Sequence, residues 1–266
     1  MAKDSLIAWT DHTFNPWWGC TEVSPACDHC YAEMLSTRWH RGAWGKDTER
    51  WFPSEAYWAE PVKWNRKATA TGTRARVFCA SMGDVLEDRD DLHPHRERLW
   101  RLIAETPALD WLLLTKRPHG YRTMIPPEIL ALLNVWPGVT VERADFTWRL
   151  DQLVQVPAAG PRWVSYEPAL GPVDFTPWLS AVSWIIVGGE SGSQARPFDL
   201  LWTRQIIAQC RAAGAAPFIK QMGIRTIENG KRFPVKDIDD MSLWPEDLRV
   251  REYPCSTVKA MAEVER

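Results

Sequence analysis

The chain has no apolar run approaching the roughly 18 residues that a membrane-spanning helix needs. Its longest candidate, Trp184–Gly189, is only strand-sized, so no membrane partner is expected. The first residues, Met1-Ala2-Lys3-Asp4-Ser5, open no apolar core of signal-peptide length, and a cytoplasmic location is expected. Net charge is also scarce. The 32 basic and 34 acidic side chains leave −2, so no global field announces a polyanion. Neither an internal repeat nor a low-complexity tract is present, which sets aside solenoids and linkers. Cysteine is sparse, six in 266 residues, too few for a disulfide scaffold.

What is present is an ordinary globular balance, 45% hydrophobic and 25% charged, ample for a buried core. Seventeen tryptophans are many, but their number alone decides nothing. Short apolar or β-branched runs recur at Arg76–Ala80, Trp111–Thr115, Gly138–Val141, Arg162–Ser165, Trp184–Gly188 and Pro217–Lys220. Between them, His93–Glu105, Pro126–Leu133, Phe146–Val154 and Leu201–Ala213 carry helical period. Strands apolar throughout, alternating with helices, imply a parallel sheet buried on both faces. The expected fold class is therefore α/β, a partial or complete βα (TIM-like) barrel, with a doubly wound sheet as the alternative. Residues 1–223 form the expected barrel domain, with an insertion at about 41–70. Residues 224–266 form an expected C-terminal surface extension with little regular structure.

Each apolar run ends in polar residues: Ser81-Met82-Gly83-Asp84, Lys116-Arg117, Glu142-Arg143, Tyr166-Glu167-Pro168, Gly189-Glu190-Ser191-Gly192 and Gln221. The carboxyl edge of a parallel sheet is where βα folds bind ligands, and six polar termini on that edge point to a site.

Cys20, Cys27 and Cys30 lie within eleven positions, spaced C-x6-C-x2-C. Pro16, Gly19 and Pro25 make this segment a loop, with Asp28 expected to cap a helix from about His29 to Arg41. Such a cluster in a reducing compartment points to metal. A closed zinc site wants four ligands, and His12, His29 and His40 are the nearest candidates for a fourth. A [4Fe–4S] cluster held by three cysteines leaves one iron open. Spacing alone leaves these alternatives level.

The segments FNPWWGC, CDHCYAE, VFCASMGDVLE, LLLTKRP, GVTVE, VSYEPALGPVD, WIIVGGESG, ARP and PFIKQMG cover most of residues 7–223. Together they resemble the radical S-adenosylmethionine superfamily and, more closely, a phage- and prophage-associated family of unknown function. The Ser-Met-Gly-Asp and Leu-Thr-Lys strand ends are similar to those of the spore photoproduct lyases, radical enzymes acting on a thymine dimer in DNA. The loop holds three more residues between its first two cysteines than the superfamily's usual C-x3-C-x2-C.

The resemblance implies Cys20, Cys27 and Cys30 as ligands of a [4Fe–4S] cluster and S-adenosyl-L-methionine on its open iron. It implies an electron donor such as flavodoxin or ferredoxin. His29 takes the place where the family often sets a ring beside the adenine. Ser81 and Asp84 would accept from the ligand's ammonium. Lys116 or Arg143 would meet its carboxylate, and Glu142, Ser165 or Glu167 its ribose. Gly188, Gly189 and Glu190 would allow close approach of the adenosine.

Between Pro61 and Arg76 stand Lys63, Arg66, Lys67, Arg74 and Arg76 without an acidic residue, near Trp51, Trp58 and Trp64. Basic groups interleaved with rings suit a nucleic-acid groove; the competing reading is a solvated loop whose tryptophans pack inward. With the lyase resemblance, a nucleic-acid base becomes the leading substrate class, flipped out if it starts in a duplex. Cys79 is a candidate hydrogen donor or a small buried hydrophobe; Cys210 and Cys255 read as structural or incidental. The expected function is thus radical repair or modification of a thymine-type base, of undetermined reaction class. The alternatives are a zinc-stapled nucleic-acid-binding protein and a radical enzyme acting on a peptide or small metabolite.

Overall fold

A computed structural model describes residues 5–39 and 42–254. His40, Arg41 and Cys255, singled out above, lie outside the described residues. The chain divides into two compact units, Met1–Gly138 with Val156–Gly160, and Val139–Gln155 with Pro161–Arg266.

In the first unit, β1 (His12–Thr13) leads into the cysteine loop and α1 (Tyr31–Arg38). Then come α2 (Glu55–Trp58), α3 (Glu60–Thr71), β2 (Ala75–Cys79) and α4 (His93–Glu105). After these follow β3 (Leu109–Thr115), α5 (Gly120–Met124), α6 (Pro127–Leu130) and the first part of β4 (Val135–Thr140). β1 pairs parallel with β2 and β2 with β3, in the register Val77 to Trp111. α4 buries Leu99, Trp100, Leu102 and Ile103, the stripe that its period predicted.

Within the stretch expected as an insertion, α3 begins with Pro61 in its first turn, where a missing N–H costs nothing, and buries Pro61, Trp64 and Ala68 at helical spacing. The expected helix start near His29 is corrected. α1 starts at Tyr31 with Cys30 at its N-cap, because Cys27 and Asp28 are taken up by a short 3-10 turn, Pro25–Cys27, that closes on itself.

The second unit holds α7 (Trp148–Leu153), β5 (Trp163–Tyr166), β6 (Trp184–Gly188), β7 (Phe198–Asp199) and α8 (Leu200–Ala213). It continues with β8 (Ala216–Gln221), β9 (Thr226–Glu228) and β10 (Lys231–Arg232). β5 pairs parallel with β6 and β6 with β8. The Asp199 carboxylate caps α8 by accepting from the Leu201 N–H at 2.9 Å. The described part of the C-terminal extension is partly buried. Trp244 and Leu248 are buried, the Ile219 N–H donates to the Val250 carbonyl at 2.8 Å, and Trp184 Nε1 donates to the Glu252 carbonyl.

The strand order of the larger sheet is β1-β2-β3-β4-β5-β6-β8, with β10-β9-β7 forming a small second sheet. This is the α/β arrangement of a partial βα barrel, as the alternation of apolar runs and helices implied.

Candidate functional site

The cysteine loop of the first unit is laid along the segment that follows β2. The Phe14 N–H donates to the Phe78 carbonyl at 2.9 Å, and the Gly19 N–H to the Met82 carbonyl at 2.9 Å. Buried Asn15 ties the two together: its Oδ1 accepts from the Met82 N–H at 2.7 Å and its Nδ2 donates to Ser81 Oγ at 3.2 Å. Gly19 sits at φ +112°, and a Cβ there would stand 2.1 Å from the Ala43 carbonyl oxygen, so only glycine lets the loop pass. Sequence spacing cannot show this juxtaposition.

Cys20, Cys27 and Cys30 are free thiols, each partly buried. The Cys30 N–H donates to the Cys27 carbonyl at 3.1 Å, which sets these two on successive turns. Trp18, Ala32 and Met82 form an apolar wall against which Cys30, Leu35, Trp44 and Trp51 pack. Burial pushes the Cys20 thiol up to about 12, Asp84 adds to the rise and Arg117 opposes it. Burial also raises Cys30, while the nearby Lys116 charge lowers it. The donor set fits a thiolate-bound metal group in kind: three reduced sulfurs on one loop, an apolar wall and cations beside two of the sulfurs. Among the described residues, no three His, Cys, Asp or Glu side chains stand together at metal-holding distance. The fit therefore lies in the donors and not in a preformed cage.

Asp84 is buried, and four donors use its carboxylate: Thr115 Oγ1 at 2.7 Å, the Leu86 N–H at 3.0 Å, the Lys116 N–H at 3.1 Å and Arg117 Nη1 at 2.9 Å. It accepts from its own framework, so little capacity is left for the ammonium group assigned to it from the resemblance. Arg117 also donates from Nη1 to Cys20 Sγ at 3.6 Å and from Nη2 to the Thr21 carbonyl at 2.7 Å. Burial works against its charge, but Asp84 and Cys20 more than offset this and hold the guanidinium protonated. Behind it, Arg50 binds Glu87 through Nε at 3.0 Å and Nη2 at 2.8 Å. The same guanidinium donates to the carbonyls of Ala43, Gly45 and Thr48, pinning that segment.

Ser81 faces the loop, its hydroxyl shared with Asn15 and its carbonyl accepting from Tyr31 Oη at 3.0 Å. His29 is half-buried beside Cys30. Cys79 has no exposed surface, and burial raises its thiol far above the usual range.

On α3, Trp64 is buried and stacks on His12 with ring centroids 4.3 Å apart, so it is core and not a platform for a base. Lys63 pairs with Glu60 at 2.6 Å and Arg74 with Asp110 at 2.7 Å. Arg66 and Lys67 remain exposed.

In the second unit, Glu142 and Arg149 form a fully buried pair, Nη1 to Oε2 at 2.8 Å, and Glu142 Oε1 has no hydrogen-bond partner among the described residues. Glu142 has 0% exposure, and Arg149 occupies its Oε2. Glu167 stands half-buried between Ser165, whose Oγ lies 3.5 Å from Oε2, and Lys220, whose Nζ lies 2.9 Å from Oε1. A Cβ on Gly188 would meet Glu167 Oε1 at 2.6 Å, and one on Gly189 would meet Gly223 Cα at 2.5 Å. The chain's own packing thus takes up the close approach that these glycines permit. Glu190 is held by Arg196 through its side chain and through its backbone N–H, the latter at 2.6 Å. Arg143 pairs with Asp145 at 2.8 Å.

Sequence reasoning missed Arg50, Glu87, Arg149 and Lys220, and set Arg117 at a polar strand end without giving it a role. Lys116 and Arg117 are adjacent at one strand end and were separable only by the turn. Thr115 Oγ1 accepts from the Arg117 N–H at 2.8 Å and directs that residue back over the loop.

The chain belongs to the family described as "Protein of unknown function (DUF5131)", whose model matches residues 4–248. No curated protein matches it. Among solved structures it is similar to a doubly substituted spore photoproduct lyase with bound AdoMet and dinucleoside spore photoproduct, at 10% identity and TM-score 0.47. It is also similar to a spore photoproduct lyase in which one cysteine is replaced by serine, at 12% identity and TM-score 0.45. Each match covers 71% of this chain, and the chain spans 58% of the length of those lyases.

Proposed function

We propose that this protein is a radical S-adenosylmethionine enzyme that repairs or modifies a nucleic-acid base. The observation that carries the reading is the trio of reduced cysteines on one loop, set beside the polar segment that follows β2 and walled by Trp18, Met82 and Trp51. Cys20, Cys27 and Cys30 would hold a [4Fe–4S] cluster. When bound, that cluster supplies the electron that cleaves the sulfonium of S-adenosylmethionine.

The protein's own contribution is binding and shielding. Lys116, whose charge acts on Cys30, is the proposed partner of the cofactor's carboxylate. Ser81, with its hydroxyl at the loop, is the proposed acceptor for the ammonium. The apolar wall keeps water from reactive species. Arg66 and Lys67 on α3 supply positive charge for phosphates, which suits a nucleic-acid substrate. A one-electron donor of the flavodoxin or ferredoxin class completes the reaction.

The test is anaerobic reconstitution with iron and sulfide. The expected product is brown, holds about four irons per chain and loses them in a C20A/C27A/C30A variant. Reduced enzyme should then release 5′-deoxyadenosine from S-adenosylmethionine, faster with single-stranded DNA than without. A colourless protein carrying one zinc overturns the cluster. Iron loading with no response to any nucleic acid overturns the substrate class.

A further inference from the structure

Arg117 is the one cation whose hydrogen-bond donor reaches a sulfur of the cysteine loop among the described contacts, at 3.6 Å from Cys20 Sγ. Four features hold it there. Its N–H is caught by Thr115 Oγ1, Nη2 is fixed by the Thr21 carbonyl, and Nη1 is shared with Asp84 Oδ2. The side chain is also 11% exposed, so water does not compete for it. Glu87 makes its short contacts with Arg50 and only a longer ion pair with Arg117, at 3.9 Å.

A donor aimed at a ligating sulfur withdraws charge from a metal group and favours its reduced form. A guanidinium does this with a full charge in a site of low exposure, where screening is weak. We propose that Arg117 is a positioning residue that orients Cys20 and raises the reduction potential of the group bound by the cysteine loop, with Asp84 as its counter-ion. This rests on the cluster reading above. It differs from a cofactor-binding role for the Lys116-Arg117 strand end, and it gives Asp84 the task of holding a guanidinium.

The experiment is an EPR-monitored redox titration of reconstituted protein with dithionite and mediators, comparing wild type, R117K and R117Q at equal iron content. At a fixed ambient potential, the reduced-to-oxidised ratio should fall about tenfold in R117Q, a shift of about 60 mV for a one-electron couple. R117K, which keeps the charge but loses the planar fork, should fall between the two. Pulsed EPR of wild type labelled with 15N-arginine should show a weak nitrogen coupling that R117K lacks. Equal midpoints in all three proteins overturn the proposal. So does an unchanged R117K midpoint together with absence of the 15N coupling, if R117Q does not fold. Failure of wild type itself to take up iron refutes the cluster reading instead, and the two failures are separated by the iron count.

Discussion

Asp84 in the first unit and Glu142 in the second are both buried carboxylates just past the carboxyl end of a parallel strand, each paired with an arginine. Asp84 accepts four hydrogen bonds, two of them from backbone N–H groups. Glu142 accepts one from Arg149 and leaves Oε1 without a partner among the described residues, as Thr140 leaves Oγ1. The same residue types at equivalent places in a repeated βα pattern therefore meet different ends. Where the end of the neighbouring strand turns toward it, as Thr115–Arg117 does toward Asp84, its donors complete the carboxylate. Where the following helix supplies only one arginine, an acceptor stays buried and unsatisfied, at a cost of about 1–3 kcal/mol.

The largest effects should come from removing the buried cations. Arg50→Met leaves Glu87 only its 3.9 Å contact with Arg117 and three carbonyls without their donor, and Arg149→Met leaves Glu142 without its cation. Each should lower stability by about 3–5 kcal/mol in urea unfolding. The contrast between units sharpens in the second variant of each pair. Glu142→Gln added to Arg149→Met should restore most of the loss, whereas Glu87→Gln added to Arg50→Met should not, because the loop carbonyls stay orphaned. Equal rescue in both units breaks the comparison.

Next in size is Asp84→Asn, which sets an amide N–H against donors now pointing at a carboxylate. A loss of about 2–3 kcal/mol is expected, with faster hydrogen exchange at Leu86 and Lys116. Lys220→Met in the second unit should cost less, about 1 kcal/mol or below, since the pair with Glu167 is partly solvated. A loss as large as that of Asp84→Asn would mean that the second unit's strand ends are as tightly determined as the first's.

The smallest effect is a pH dependence at the surface of the first unit. A hydrogen bond from Arg89 holds the Asp91 carboxyl below its ordinary value. A carboxylate with a depressed folded pKa stabilises above its unfolded value, near 4, and loses that contribution as pH falls through the folded value. Wild type should exceed Asp91→Asn by less than about 1 kcal/mol at pH 7, because the pair is exposed. The two should converge in acid well below pH 4.

The apolar strands were legible because strands buried on both faces need apolar residues throughout, and Trp184–Gly188 and His93–Glu105 fall where periodicity put them. β1 escaped as a strand because two residues carry no period. The inward facing of Trp64 was not legible, because basic neighbours on a helix say nothing of which way the ring between them faces. The cysteine trio was visible at once, since three sulfurs in eleven positions are rare in such a chain. Arg117 was not, because which of two adjacent cations reaches back depends on a turn made by Thr115.

Composition and periodicity by themselves determined the parallel α/β class, the carboxyl-edge placement of polar groups and the soft-ligand chemistry of the loop, all properties that local residue types enforce. Only tertiary structure decided which of those polar groups are committed. Asp84, Cys20 and Arg117 span 97 positions, and whether a buried carboxylate is satisfied or left open depends on which distant segment comes to cover it. Hydrogen-bond geometry acts over about 3 Å of space whatever the separation along the chain.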